Sequence, residues 1–597
     1  MRNPENVLEN LKSHATTSNY QYKRLYRNLY NPSLYLLAYQ QTYSKPGNMS
    51  KGIDGQTFDG MSLKRIQNII RCLKDHSYQP KPARRTYIPK KNGKLRPLGV
   101  PSSDDKLIQQ ATKMLLESIY EDTFAETSHG FRPDRSCHTA LSQIKINFTG
   151  VKWFVEGDIF GFFDNIDHHI LISILRRRIK DEYFISLIWK FLRAGYVENG
   201  IHFKPNKGLH QGSLISPILA NVYLNEFDQH MIEFKNAFDR SEKRKRSPEY
   251  NRIQNREQRL RGTISKLPDS SKEKADMMRS LKQLRNIRVS MSCSDPMDSS
   301  YKRIFYQRYA DDFIIGIIGN KQNAEEIKDE VRGFLSEQLH LELSQEKTLI
   351  THGKDKAQFL GYDITIGRKG TPSKDRLGKL SDKHNGKVKL YLPQDAWLKK
   401  LKLYKALKIG NQKGISETWK PCARPNLLYF PDHEIVRIYN WEIQGLYQYY
   451  KIADNVSVLN DYYYIMKYSL MKTLAGKHNC SVRKIMQKHS HDGRFRINFS
   501  TDAKPKTIYL YDYGFRKQPI ITRKSVKHQS HELTSRLLSH QCEWCGNSDL
   551  NVSTHQVRKL SELSGVTAWE RKMIKLNRKT LVLCPVCHDK LHKGLLN

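Results

Sequence analysis

The chain has 597 residues, and at roughly 100–200 residues per domain that makes three to five domains. Lys and Arg number 101 against 60 acidic residues, a formal net charge of +41. Such an excess calls for a polyanionic partner, either nucleic acid or an anionic membrane surface. No apolar run nears the ~20 residues needed to span a bilayer, so no membrane span is expected. The opening Met1-Arg-Asn-Pro-Glu-Asn lacks an apolar signal core, so export is not expected either. A 38% hydrophobic and 10% aromatic content excludes global disorder. Nine cysteines make no disulfide scaffold at this length. Four of them crowd the C-terminus as two Cys-x-x-Cys pairs, which reads as metal binding in a reducing compartment.

In chain order, residues 1–75 are polar with scattered Tyr and Leu. Leu25, Leu29, Leu34 and Leu37 recur at helical spacing, with a break expected near Pro32. From Arg84 to Val100 the pattern is a β-hairpin with Asn92-Gly93 at its tip. Residues 104–125 form an amphipathic helix opened by Asp104 and Asp105. Two apolar runs then carry carboxylates: Trp153 to Ile159 with Asp158, and Phe305 to Ile315 with Asp311 and Asp312. Between them, residues 234–300 are charged and poor in large apolar groups, an insertion with basic helices. Residues 367–408 and 476–541 are strongly basic, and 431–475 return to an aromatic-rich helical periodicity.

Adjacent ionised aspartates inside an apolar run repel each other and resist burial. The simplest relief is a hard divalent cation such as Mg²⁺. With Asp158, the pair makes the three-carboxylate set that two-metal phosphoryl transfer requires.

Tyr309-Ala-Asp311-Asp312 and Asp158-Ile-Phe-Gly-Phe-Phe163 resemble the active-site strands of reverse transcriptases. The resemblance implies a right-hand polymerase within a multidomain α+β chain, with Asp158, Asp311 and Asp312 holding two Mg²⁺ ions. Gly208-Leu-His-Gln211-Gly212 resembles the block beside the incoming base. Arg96 matches an arginine that clamps the triphosphate, and Lys90 and Lys91 are further candidates for that task. Ile159, Gln211 and Lys347 complete the implied nucleotide contacts. Phe163 fits two roles, a ring beneath the deoxyribose or a core aromatic. Phe359-Leu-Gly361 resembles the grip on the primer end.

Ser128-His-Gly-Phe-Arg132-Pro, Asp164-Asn-Ile-Asp-His168, the Ile438–Tyr450 stretch and Tyr468 to His478 resemble group II intron-encoded proteins. That family implies an N-terminal RNA-binding extension (1–75) and fingers and palm (76–366, with an insertion at about 234–300). It further implies a helical thumb or maturase domain (367–475), a basic DNA-binding segment (476–541) and a small zinc-containing ββα HNH-type endonuclease (542–597). The implied partners are group II intron RNA, double-stranded target DNA and deoxynucleoside triphosphates, with no membrane. The implied compartment is the cytoplasm, bacterial or, failing that, organellar. The implied activities are RNA-directed DNA synthesis, maturase-assisted splicing and retrohoming. The alternative is an RNA-binding splicing factor whose nuclease or polymerase has decayed.

Cys542-x-x-Cys545 and Cys584-x-x-Cys587 form a strong structural-zinc pattern. By the HNH resemblance His555, His588 and His592 hold Mg²⁺ or a similar divalent ion, with His555 catalytic; a purely structural role in the finger is the other reading. The family's second histidine is replaced by Gln556, which cannot serve as a base near neutral pH. The motif's asparagine position falls at Lys579 or Thr580, with Asn577 two residues away.

Overall fold

The computed structural model describes residues 3–596 except 18, 90–92, 94, 269–270, 292, 296–297, 299, 368–372, 375–379, 382–385, 413–414, 502–503 and 520–531. Its centre is a four-stranded antiparallel sheet. The order is Arg303–Tyr309, Asp312–Ile318, Trp153–Asp158, Leu349–His352. The two middle strands are nearly continuous apolar runs because both faces of the sheet are covered. Val155, Phe313, Ile315 and Ile317 enter one core, and Phe154, Ile314 and Ile318 enter the other. Gly157 is required by this packing, since a Cβ there would lie 2.0 Å from the Phe313 ring.

The first core joins this sheet to the N-terminal helices. Pro32 begins the Pro32–Thr42 helix, where its missing N–H is not needed and the Asn31 side chain accepts from Ser33 N–H. The hairpin forms as expected, Ala83–Pro89 against Leu95–Val100, with Ile88 opposite Arg96. Of its tip, Lys90, Lys91, Asn92 and Lys94 lie outside the described residues, and Gly93 has a positive φ of 80°. The next helix spans Ser103–Tyr120 and is not amphipathic in place. Lys106, Gln109 and Gln110 are buried along with its apolar face, because other helices pack around it.

The charged insertion is an exposed pair of helices, Pro248–Ile264 and Lys272–Ser290. It starts later than residue 234, because Ser216–Phe238 is one helix whose Phe234 and Phe238 pack on the core. Buried Glu257 accepts from Arg261 and Arg288 within this pair.

The second core runs from the central sheet into helices Asp432–Tyr450 and Leu459–Lys477. It also takes in Phe495, Ile497, Leu510 and Phe515, so the hairpin Arg494–Thr501 with Lys504–Tyr509 is built onto those helices. The two chain ends meet. Met61–Ser62 pairs antiparallel with Ser553–Gln556, which pairs with Thr580–Leu583. Leu533, Leu537, Val552 and Val582 enter the same core as the N-terminal helices. Among the described residues, no helix is long and apolar enough to cross a membrane.

Candidate functional site

Asp158 ends its strand directly opposite Asp312 in the ladder. Asp311 is not inside a strand. It lies in the tight turn joining Arg303–Tyr309 to Asp312–Ile318, after Ala310 in the left-handed region (φ 56°). The apolar run therefore folds into a hairpin whose tip presents both aspartates. Lys347 Nζ sits 2.6 Å from Asp158 Oδ2. Burial raises the Asp311 carboxyl, and Asp158 adds to this while Lys347 and Arg96 oppose it. Asp312 is pushed up to about 7 by burial, by a hydrogen bond with Asp158 and by repulsion from Asp311. Hard oxygen donors crowded this way, with too few cations nearby, suit a divalent metal.

The turn is held from below by residues whose role the sequence did not reveal. Arg308 and Asp228 are both fully buried and paired at 2.5 Å. Arg308 also donates to the Ala310 carbonyl at 2.9 Å and to Ser128 Oγ at 2.7 Å. His129 N–H donates to the Arg308 carbonyl. A Cβ on Gly130 would lie 2.3 Å from Ala310 N. The Ser128-His-Gly segment is thus the floor under the aspartate turn. Its only sequence signal was a family block without an assigned task.

Around this turn, Arg96 is exposed on the hairpin and its charge reaches Asp311. The Gln211 backbone carbonyl accepts from Gly99 N–H at 2.7 Å, which stitches its loop to the Arg96 strand. Gly212 (φ +113°) is required there, since a Cβ would lie 2.4 Å from Gly99 O. His210 is held neutral, its imidazole lowered to about 4 by burial and by Arg85. Ile159 is buried in the core, which leaves only its backbone for a ligand. Phe163 is half-buried, edge-on to Phe131 and Phe162. Phe359 is buried too, which leaves the Leu360-Gly361 turn, half-buried at Leu360 and open at Gly361, as the part of this segment that faces outward. Tyr449 and Tyr450 hydroxyls donate to the Leu360 and Gly361 carbonyls at 2.7 and 3.0 Å.

At the C-terminus two groups of side chains bring their ligand atoms within 4.8 Å of one another. The first is Cys542, Cys545, Cys584 and Cys587, as the spacing predicted; four thiols suit zinc. The second is His555, His588, His592 and Asp59. His588 and His592 lie one turn apart on the Pro585–His592 helix, with His555 on the Ser553–Gln556 strand. Asp59 was not foreseen, because nothing local links it to residues almost a whole chain away. Its carboxylate lies 3.2 Å from His555 Nδ1, 3.5 Å from His588 Nε2 and 2.8 Å from His592 Nε2. Burial opposes its ionisation, but the imidazoles of His555 and His588 beside it hold its carboxyl far below the usual range. Both ring nitrogens of His555, Nδ1 facing Asp59 and Nε2 beyond it, are buried without a hydrogen-bond partner, as a ligand without its ion would be. Gln556 faces the opposite side of its strand. It is buried, donating to the Tyr43 carbonyl and accepting from Tyr39. Asn577 (φ 51°) caps the Ala568–Leu576 helix, and Thr580 is buried opposite Gln556.

Comparison with known families agrees with this layout. Residues 88–243 and 280–364 match the family reverse transcriptase (RNA-dependent DNA polymerase). The unmatched stretch between them, residues 244–279, takes in the first helix of the exposed pair and the start of the second. Residues 385–522 match type II intron maturase, and 542–588 match AI2M/AI1M-like, HNH endonuclease. The chain is 42% identical over 583 residues to group II intron-encoded protein LtrA of Lactococcus lactis, covering 95% of each. It is 31% identical over 613 residues to a putative COX1/OXI3 intron 2 protein of Saccharomyces cerevisiae, covering 99% of this chain and 68% of that one. Protein YkfC of Escherichia coli is 36% identical over 359 residues, 59% of this chain and 85% of its own. The chain belongs to the group II intron-encoded proteins: it is a reverse transcriptase and maturase that carries an HNH endonuclease domain.

Proposed function

We propose that Asp158, Asp311 and Asp312 are the nucleotidyl-transfer site of this reverse transcriptase. The observation that carries this is the pairing of Asp158 with Asp312 in the ladder, with Asp311 on the adjoining turn. Two Mg²⁺ ions on these carboxylates would supply charge neutralisation for the primer hydroxyl and the departing pyrophosphate. Lys347 orients Asp158 from the open side. Arg96 on the hairpin, with Lys90 and Lys91, binds the triphosphate by charge and fork geometry. Gln211, the Ile159 backbone and Phe163 flank the nucleotide, with Phe163 beneath its sugar. Phe359 and Gly361 anchor the turn that grips the primer.

The net charge of +41 suits a chain that neutralises many phosphates of a folded intron RNA. Recognition of one intron then rests on shape and unpaired loops. In this reading residues 1–75 and 367–408 contact RNA, 76–366 are fingers and palm, and 367–475 are the thumb. Residues 476–541 bind target DNA through mixed basic and aromatic side chains. Residues 542–597, with zinc on the four cysteines, nick one DNA strand at a divalent ion held by His555, His588 and His592. The polymerase extends that end on the intron RNA, which completes retrohoming in the cytoplasm.

The test is primer extension on an RNA template with deoxynucleotides and Mg²⁺. Asp311→Ala is expected to reduce extension to background while the protein still binds intron RNA. Extension equal to that of the parent would overturn the site and leave an RNA-binding splicing factor as the better account.

A further inference from the structure

We propose that Asp59 is itself a ligand of the divalent cation held by His555, His588 and His592. Ion binding then fastens the N-terminal segment to the C-terminal module. The inference rests on reading the three histidines as an ion site, and it adds a partner from the far end of the chain.

The geometry argues for convergence on one point. One carboxylate reaches all three rings, at 3.2, 3.5 and 2.8 Å. The Nε2 atoms of His588 and His592 face each other at 3.1 Å. His555 is only 6% exposed, and neither of its ring nitrogens has a hydrogen-bond partner, although Nδ1 lies close to Asp59. His588 is oriented from behind, its Nδ1 lying 2.8 Å from Ser553 Oγ. Such a backing contact fixes a ligating imidazole's direction. Three imidazoles and one carboxylate form a mixed nitrogen and oxygen set, suited to Mn²⁺, Co²⁺ or Zn²⁺.

Asp59 is placed there by backbone, not by chance reach. Gly60 N–H donates to the Thr554 carbonyl at 2.9 Å, and Met61 pairs with Thr554 in the shared sheet. Asp59 Oδ1 accepts from Gln556 N–H at 2.7 Å, and Arg65 donates to the Asp59 carbonyl. The Tyr39 hydroxyl bonds Thr554 Oγ1 at 2.8 Å, closing the seam from the other side. A ligand fixed on one body and three on another make the ion a clamp between them.

The experiment is Mn²⁺ titration of the full-length, zinc-loaded chain by calorimetry, with Asp311→Ala in every sample to remove the polymerase ion site. Hydrogen exchange of residues 59–62 and 553–556 is followed in parallel. Asp59→Asn keeps a side-chain oxygen for Gln556 N–H, so the fold is preserved. It is expected to weaken Mn²⁺ binding by about tenfold or more. Mn²⁺ should slow exchange at 553–556 in the parent and not in the variant. Asp59→Glu should recover part of the affinity. If Asp59→Asn binds Mn²⁺ like the parent while His588→Ala loses it, Asp59 is only an ion-pair partner and the inference fails alone. If His588→Ala also binds normally, or the Asp311→Ala chain binds no Mn²⁺, the histidine ion site falls with it.

Discussion

Asp158, Asp311 and Asp312 come from neighbouring strands and one turn of a single sheet. Asp59 and the three histidines come from opposite ends of the chain. The first site is assembled by hydrogen-bond register, so two short stretches of sequence suffice to build it. The second depends on a docking event, the pairing of Met61–Ser62 with Ser553–Gln556. A site made by register is as stable as its sheet. A site made by docking is as stable as the contact between two bodies, and a ligand can strengthen that contact.

Three perturbations sharpen this contrast. The largest effect is expected from Asp228→Ala, which strands the fully buried Arg308 guanidinium beneath the aspartate turn. Breaking a buried pair in this way costs about 3–5 kcal/mol. Urea unfolding should show the loss in the polymerase body, and primer extension should fall with it. The histidine cluster should keep its hydrogen-exchange protection; if it lost protection equally, the two sites would not be independent.

A second effect comes from acid. His129 lies under the same turn, its imidazole lowered to about 4 by burial, with neighbouring arginines adding to the shift. Between pH 6.5 and 4 the unfolded chain takes up a proton that the folded chain refuses. Stability is therefore full above pH 6.5 and falls as the pH drops through that window, by up to about 3 kcal/mol. His129→Gln should flatten this part of the stability profile in unfolding measured at pH 7 and pH 4.5. An unchanged profile would show that other groups carry the acid response.

The smallest effect is expected at the Leu360-Gly361 turn, proposed to grip the primer. Tyr449→Phe removes the hydroxyl that donates to the Leu360 carbonyl at 2.7 Å. One such hydrogen bond contributes about 1 kcal/mol. Primer KM should rise severalfold with little change in kcat, and a fall in kcat alone would place the turn's role in chemistry instead.

The legible parts of the molecule were those written locally. The Arg84–Val100 hairpin carried its turn residues, and the cysteine pairs carried their chelating spacing. The aspartates were legible as residues but not as a turn, because an apolar run does not mark where it reverses. The amphipathic helix expected over residues 104–125 is the Ser103–Tyr120 helix, whose polar Lys106, Gln109 and Gln110 are buried where other helices cover it. Gln556 was recognised as unable to act as a base, but that it faces Tyr39 and Tyr43, away from the histidines, depended on strand alternation and on the helix docked behind it.

Sequence by itself determined the chemistry available: three carboxylates, four thiols, three imidazoles and a surplus of positive charge, each in a pattern with one short-range reason. Tertiary structure alone decided which of these groups meet. Arg308 finding Asp228, Tyr449 reaching the Leu360 carbonyl and Asp59 reaching His592 all depend on how whole elements pack. Packing is set by burial summed over hundreds of side chains, and no local spacing records that sum.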